Sequence, residues 1–125
     1  MIRAERGAAV AEFALVSTLV VLLFGAVVQV ALAQHVRTLL IDAAGEGARV
    51  AARADREPQD GLAWTQELIT ATLPKRFAAD VSAETMVFDG LPLVAVTVTA
   101  PLPLMGLLGP SGVITVTGHA LKEGP

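Results

Sequence analysis

The sequence contains no cysteine, and aromatic residues make up only 4% of its 125 residues. The absence of cysteine excludes disulfide bonds, thiolate nucleophiles and cysteine-ligated metals. Charged residues are also scarce, at 17%, and no basic cluster is interleaved with aromatic residues. We therefore expect no binding to nucleic acid, because that function needs a basic surface.

Catalytic and cofactor-binding motifs are absent as well. The sequence has no HExxH motif, no phosphate-binding loop and no dinucleotide fingerprint. Ser111 does not fit a nucleophile elbow, and His35 and His119 have no partner that the sequence identifies. We expect that the protein is not an enzyme and has no catalytic residue, metal, cofactor or small-molecule substrate.

A long apolar block is the main feature that is present. Phe13 to Ala33 form 21 residues without a charge; as a helix they span about 31 Å, close to the thickness of a bilayer core. Three interpretations compete: a cleaved secretory signal, a buried core helix or a membrane-spanning helix. The block is longer than a typical signal core, although Ala31-Leu32-Ala33 imitates a cleavage site. The rest of the chain is too short to bury so apolar a helix, so a membrane span is favoured.

The orientation of this span follows from the lengths of its flanks. Arginines lie on both sides of the block, so the positive-inside rule gives little direction. A short N-terminal tail before a longer C-terminal part favours a cytoplasmic N-terminus. We expect a transmembrane helix over residues 8–34 in the inner (cytoplasmic) membrane, crossing it once, and an extracytoplasmic α+β domain over residues 35–125.

A glycine and an acid stand at the entrance to the apolar block, in "RGAAVAEFALV". A cut after Gly7 makes Ala8 the first residue and Glu12 the fifth. The new amino group can meet Glu12 of a neighbouring, staggered helix, an attraction on the order of 4 kcal/mol at 4 Å before desolvation costs. The alternative is that Gly7 starts a helix and Glu12 is a favourable acid in its first turn.

This motif resembles the processing site of type IV pilin-like proteins, and it is most similar to that of TadE-like pseudopilins, minor components of the Tad (Flp) pilus assembly system. The resemblance implies a leader peptide over residues 1–7, cut between Gly7 and Ala8 by a prepilin peptidase. It implies roles for Glu12 and Phe13 in recognition or assembly. The partners implied are the membrane, the peptidase, other pilin-like subunits and pilus assembly proteins, with a place in the basal machinery or in a surface pilus left open.

A helical period continues beyond the apolar block without a breaker until Pro58. Small residues recur at a spacing of four in two adjacent rows, and such rows let another backbone approach closely. A partner helix and the chain's own sheet are equally good candidates for that neighbour. The predicted packing residues are Ala43, Gly47 and Ala51 in one row, with Ala44, Ala48 and Ala52 in the other.

A second, short amphipathic helix and three strands follow. Asp55–Gly61 is predicted as a turn, and Trp64 in the next helix as a core or interface anchor. Alternating residues predict strands over the ranges 80–88, 91–100 and 113–121, with Asp89-Gly90 as a type I′ hairpin turn. The expected fold is α+β and pilin-like: a long N-terminal helix, a second helix and a small antiparallel sheet. An apolar loop between the last two strands is expected to pack against the helices, the membrane or a partner. The residues expected to make this contact are Leu102, Leu104, Met105, Leu107 and Leu108.

Overall fold

The computed structural model describes residues 2–101 and 112–123, apart from the side chain of Ile2. The predicted α+β class, with a long helix, a second helix and a three-stranded sheet, is confirmed. The predicted apolar loop lies outside the described residues. The elements in chain order are α1 (Ile2–Ala51), α2 (Pro58–Thr72), a short 3₁₀ helix (Lys75–Ala78), β1 (Asp80–Phe88), β2 (Leu91–Pro101) and β3 (Val113–Leu121).

The chain divides into two compact units, Met1–Leu32 and Ala33–Pro125. The first unit consists of the first part of α1. The most apolar 18-residue stretch of this helix has a mean hydropathy of 2.5, and none of it is buried. Phe13 is 74% and Leu15 is 75% exposed. By its length and composition, the helix is long and apolar enough to cross a membrane.

The connection between α1 and α2 differs from the prediction. Helix α1 ends at Ala51, and α2 already begins at Pro58, so the second half of the predicted turn Asp55–Gly61 is helical. Proline suits the first position of a helix, because the N–H that it lacks would have no partner within the helix at that position. The backbone N–H of Glu57 donates to Asp60 Oδ2 at 2.8 Å, which closes one half of a capping box.

The three strands form an antiparallel sheet in the order β1-β2-β3. Asp89 and Gly90, between β1 and β2, both have positive φ, at 53° and 79°. A type I′ turn needs this conformation at both central residues, so the predicted hairpin is confirmed.

The core of the second unit lies between the helices and one face of this sheet. Leu40 from α1, Ile69 from α2 and Val96 from β2 are almost completely buried there. On the other face, Thr97 pairs with Thr117 across the strands, with their hydroxyl oxygens 3.3 Å apart. The alternation of apolar and polar residues in β2 and β3 therefore separates a packed face from a hydrated one.

Candidate processing and packing sites on helix α1

The predicted processing site lies in the first unit, within α1. Gly7, Ala8, Glu12 and Phe13 are all helical and exposed. A Cβ atom added to Gly7 would meet no other atom within 4 Å. The structure therefore leaves all four residues on the surface of the helix, accessible to another molecule.

Glu12 is a charged group in otherwise apolar surroundings. Its carboxylate forms no ion pair or hydrogen bond with any residue in the described part of the chain. Exposed large apolar side chains surround it along the helix, among them Val10, Phe13 and Val16. An unpaired carboxylate next to an apolar segment favours contact with a positive group on another molecule.

A shallow groove follows one face of the same unit. Small side chains line one side of this groove and leucines the other, as the helical spacing requires. The Thr18 hydroxyl donates to the carbonyl oxygen of Ala14 at 2.8 Å, so it is satisfied within the helix and tolerates apolar surroundings. Small residues on an apolar helix let a second helix approach closely. The groove is lined by Ala11, Ala14, Leu15, Thr18, Leu19 and Leu22.

The predicted packing residues Ala43, Gly47 and Ala51 lie in the second unit and are buried within the chain's own fold. This row faces α2. A Cβ atom on Gly47 would lie 2.8 Å from the carbonyl oxygen of Gly61 and would overlap the Thr65 hydroxyl. Two helix backbones thus meet at a pair of glycines.

The second row of small residues faces the sheet. A Cβ atom on Gly118, in β3, would lie 2.5 Å from the backbone of Ala44, and Ala52 packs with Val94 of β2. Ala48 is completely buried in the main core. The two rows of α1 therefore meet two different layers of the same domain, one helical and one of strands.

Thr65 is a buried polar residue that no sequence motif singles out. It is completely buried, and its hydroxyl donates to the carbonyl oxygen of Gly61 at 2.7 Å. A second carbonyl oxygen, that of Ala43, lies 3.4 Å from the same hydroxyl. The side chain therefore fills the small space that glycine leaves between the helices without burying an unsatisfied group.

The end of α1 is held by Lys122, which follows β3. Its Nζ donates to the carbonyl oxygens of Ala51, Arg53 and Arg56, at 3.1, 3.1 and 2.7 Å. The last carbonyls of a helix lack partners within the helix and attract cations. Lys122 satisfies one such carbonyl and two in the turn after it.

Glu123 completes this contact through its backbone and its side chain. Its N–H donates to the carbonyl oxygen of Ala52 at 2.7 Å, and its Oε2 accepts from the N–H of Ala54 at 3.2 Å. No local sequence signal identifies Lys122 or Glu123, because their partners lie about 70 positions away and only the folded chain brings them together.

The described residues hold no group of three or more His, Asp or Glu side chains arranged to bind a metal ion. His35 and His119 are both exposed. The side chains that stand out in the described part of the chain make packing and capping contacts.

These features define a class of protein: a small α+β domain that follows a helix long and apolar enough to cross a membrane, the one such helix among the described residues. The family model described as TadE-like protein matches residues 7–49, which are 43 of the 125 residues. The resemblance to TadE-like proteins is therefore confirmed over this segment. No curated protein and no solved structure matches the chain.

Proposed function

We propose that the chain is a TadE-like pseudopilin, cut after Gly7 by a prepilin peptidase and anchored by residues 8–34 as a structural component of Tad pilus assembly. The observation that carries this proposal is the family match, which begins at Gly7 and includes Glu12 and Phe13. The N-terminus lies on the cytoplasmic side, where the peptidase acts, and residues 35–125 lie outside. Its role is structural rather than enzymatic.

Cleavage requires the bond between Gly7 and Ala8 to leave the helix. Glycine lowers helix stability by about 1 kcal/mol relative to alanine, and the first turns of a helix fray readily because their N–H groups lack partners. A Cβ atom added to Gly7 would meet no atom of another described element within 4 Å. Unwinding here therefore breaks backbone hydrogen bonds and little else, which supports a processing site at this position.

Glu12 then serves assembly through the new N-terminus. Cleavage removes the leader and exposes a positively charged amino group on Ala8, one helical turn before the acid. Glu12 has no partner in the described part of its own chain. The amino group of a neighbouring subunit supplies the missing positive charge, and an attraction in an apolar region is stronger than the same one in water.

The groove beside Glu12 supports the same role. Its small residues, such as Ala11 and Ala14, line a surface with no covering group in the described structure. A neighbouring apolar helix that packs into this groove brings its own N-terminal residues close to Glu12. Packing and charge pairing then act together to hold two subunits side by side.

The mass of the mature protein tests the processing step. The wild-type chain, isolated from membranes of its native host, is expected to lack residues 1–7 and to begin at Ala8. Gly7→Ala is expected to accumulate as the full-length precursor. Gly25→Ala, another glycine of the same helix with no neighbour within 4 Å, is the matched control and should be processed normally.

Two other masses contradict the proposal. An intact wild-type chain favours a membrane-anchored binding module that keeps its N-terminus. A chain that begins at Gln34 favours a secreted domain whose apolar block is a signal peptide. Equal processing of Gly7→Ala and Gly25→Ala removes Gly7 from the proposed site.

The role of Glu12 is tested after membrane insertion. Glu12→Gln is expected to insert normally but to lose most of its recovery in cross-linked complexes with other pilus components, since the amide cannot pair with an amino group as an ion. Glu5→Gln is the matched control, because Glu5 lies in the leader that cleavage removes. Equal recovery of both variants would show that the Glu12 charge plays no part in assembly.

A further inference from the structure

The β1–β2 hairpin ends in an exposed apolar tip that carries one acid. Val87, Phe88 and Leu91 are 73%, 70% and 53% exposed, and Asp89 lies between them at the turn. We call these four residues the hairpin tip. Asp89 forms no ion pair or hydrogen bond with its side chain in the described part of the chain. Single exposed apolar residues are ordinary on a protein surface, but three around one turn form a patch.

A cleft lies between the end of α1 and the outer side of α2. Its volume is about 380 Å³, which is enough for several side chains. Trp64, the only tryptophan, is 41% exposed there rather than buried in the core. We call this surface the α1–α2 cleft; it is lined by Val50, Arg53, Arg56, Asp60, Ala63, Trp64 and Glu67.

The charges of the cleft leave its two arginines available. The guanidinium groups of Arg53 and Arg56 form no ion pair within residues 2–101 and 112–123, where Arg49 with Glu46 is the one pair present. Of the two acids in the cleft, Asp60 already accepts from the N–H of Glu57. The surface thus offers an aromatic face and two unpaired cations, which suits an apolar side chain next to a carboxylate.

The hairpin tip has this composition, and we propose that the α1–α2 cleft of one copy binds the hairpin tip of a second copy of the chain. Phe88 packs against Trp64, and Asp89 pairs with Arg53 or Arg56. Both surfaces are exposed in a single copy. An exposed tryptophan flanked by arginines is also the type of residue cluster that contributes most to protein interfaces.

The two surfaces lie near the same end of the domain. The backbone N–H of Lys122 donates to the carbonyl oxygen of Pro92, at the base of the hairpin. The Nζ of the same residue donates to the carbonyl oxygens of Arg53 and Arg56, which line the cleft. Copies held side by side in one membrane by equal anchors can therefore bring a tip and a cleft together.

The proposed contact joins two different surfaces, so each pair of copies leaves one tip and one cleft free. Such a contact is heterologous, and it repeats into a row or closes into a ring. It uses only residues of the second unit and does not depend on cleavage after Gly7. Failure of the processing proposal would leave this contact intact.

Pairs of single-cysteine variants test the contact, because the natural chain has no cysteine. Leu91→Cys marks the tip and Ala63→Cys marks the cleft, each in the full-length chain with a different tag. After mild oxidation of membranes that contain both variants, we expect a disulfide-linked dimer. Membranes with either variant alone should give none. Control variants are Thr115→Cys, on the sheet far from the hairpin, and Ala71→Cys, on the exposed side of α2 outside the cleft.

Charge variants in the same assay test the pairing of Asp89. Asp89→Asn keeps a side chain that tolerates positive φ but removes the charge, and it should lower the dimer yield by about fivefold, as for a partly exposed ion pair. Arg53→Gln combined with Arg56→Gln should do the same. Asp80→Asn and Lys75→Gln, which change charges elsewhere on the surface, should leave the yield unchanged.

Four results would overturn the proposal. The first is the absence of a dimer in the mixed membranes, and the second is an equal yield with the control cysteines. The third is a dimer from either variant alone, which would indicate a symmetric contact. The fourth is a linked product of the cleft variant with another protein in place of the second copy.

Discussion

The glycines of the two units differ in what surrounds them. In the first unit, a Cβ atom added to Gly7 or Gly25 would meet no atom within 4 Å. In the second unit, Gly47 and Gly118 lie directly against backbone atoms of a neighbouring element. Glycine thus makes close packing possible at Gly47 and Gly118, whereas a methyl group on Gly7 or Gly25 would meet no described atom within 4 Å.

This difference indicates where the effect of a substitution should be measured. A methyl group on a packed glycine has to displace a neighbouring backbone, so the domain loses stability. A methyl group on an uncovered glycine displaces nothing in the described part of its own chain. Any consequence at Gly7 or Gly25 must therefore concern other molecules, such as a peptidase, lipid or a neighbouring helix.

Gly47→Ala is expected to have the largest effect on the second unit. The added methyl group overlaps the Thr65 hydroxyl and lies 2.8 Å from the Gly61 carbonyl oxygen, which forces α1 and α2 apart. We expect a loss of about 2–3 kcal/mol in the free energy of unfolding. Urea unfolding of the full-length chain in detergent micelles, followed by Trp64 fluorescence, measures this loss.

Gly45→Ala is the matched control, two positions away on the same helix. The nearest atom to its added methyl group is a guanidinium nitrogen of Arg49 at 4.0 Å, on a flexible side chain. Alanine should therefore stabilise this helix by up to about 1 kcal/mol. If both variants lose the same stability, the close packing at Gly47 does not explain its loss, and the comparison of packed with open glycines is wrong.

Lys122→Met should have an intermediate effect. Methionine keeps most of the apolar side chain but removes the charged group that binds three carbonyl oxygens at and after the end of α1. We expect a loss of about 1–2 kcal/mol in the free energy of unfolding. Lys75→Met, an exposed lysine with no such bonds in the described structure, is the control for a change in charge. Equal stability of the two variants would show that the three contacts contribute little.

The elements that could be predicted are those with a local cause. Alternating residues predicted all three strands to within one residue, because one face of the sheet packs against the core. Asp89-Gly90 predicted its own turn, since the conformation depends on those two residues. The start of α2 also has a local signal in Pro58, but the polar residues around it predict a turn.

The end of α1 could not be predicted in this way. Nothing between Ala51 and Pro58 stops a helix by its own chemistry, and the helical period alone extends to Pro58. The structure ends the helix where Lys122 and Glu123 bind its last carbonyls and those of the following turn. These partners come from the other end of the chain, so the boundary depends on tertiary structure.

The residues of the candidate sites also divide into those with a local sequence signal and those that depend on tertiary structure. Gly7, Glu12 and Phe13 belong to a short motif and were identified from sequence, and the family match covers all three. The small-residue rows of α1 were identified as packing surfaces, but a spacing of four residues does not say which element packs there. Gly61, Thr65 and Gly118 supply the answer. Their contacts with α1 form only when the domain folds.

Gly25→Ala should have the smallest effect, and it tests the expectation that an added methyl group on an uncovered glycine leaves the stability of the domain unchanged. Gly25 lies in the apolar part of α1 with no atom near its added methyl group, so the free energy of unfolding of the second unit should change by less than about 0.5 kcal/mol. The same urea titration measures this, and helicity from circular dichroism should not fall, since alanine favours a helix. A loss as large as that of Gly47→Ala would contradict the comparison of packed with open glycines. An unchanged stability together with reduced recovery of pilus complexes would instead locate the need for glycine at a contact between subunits, where a small residue lets two helices approach.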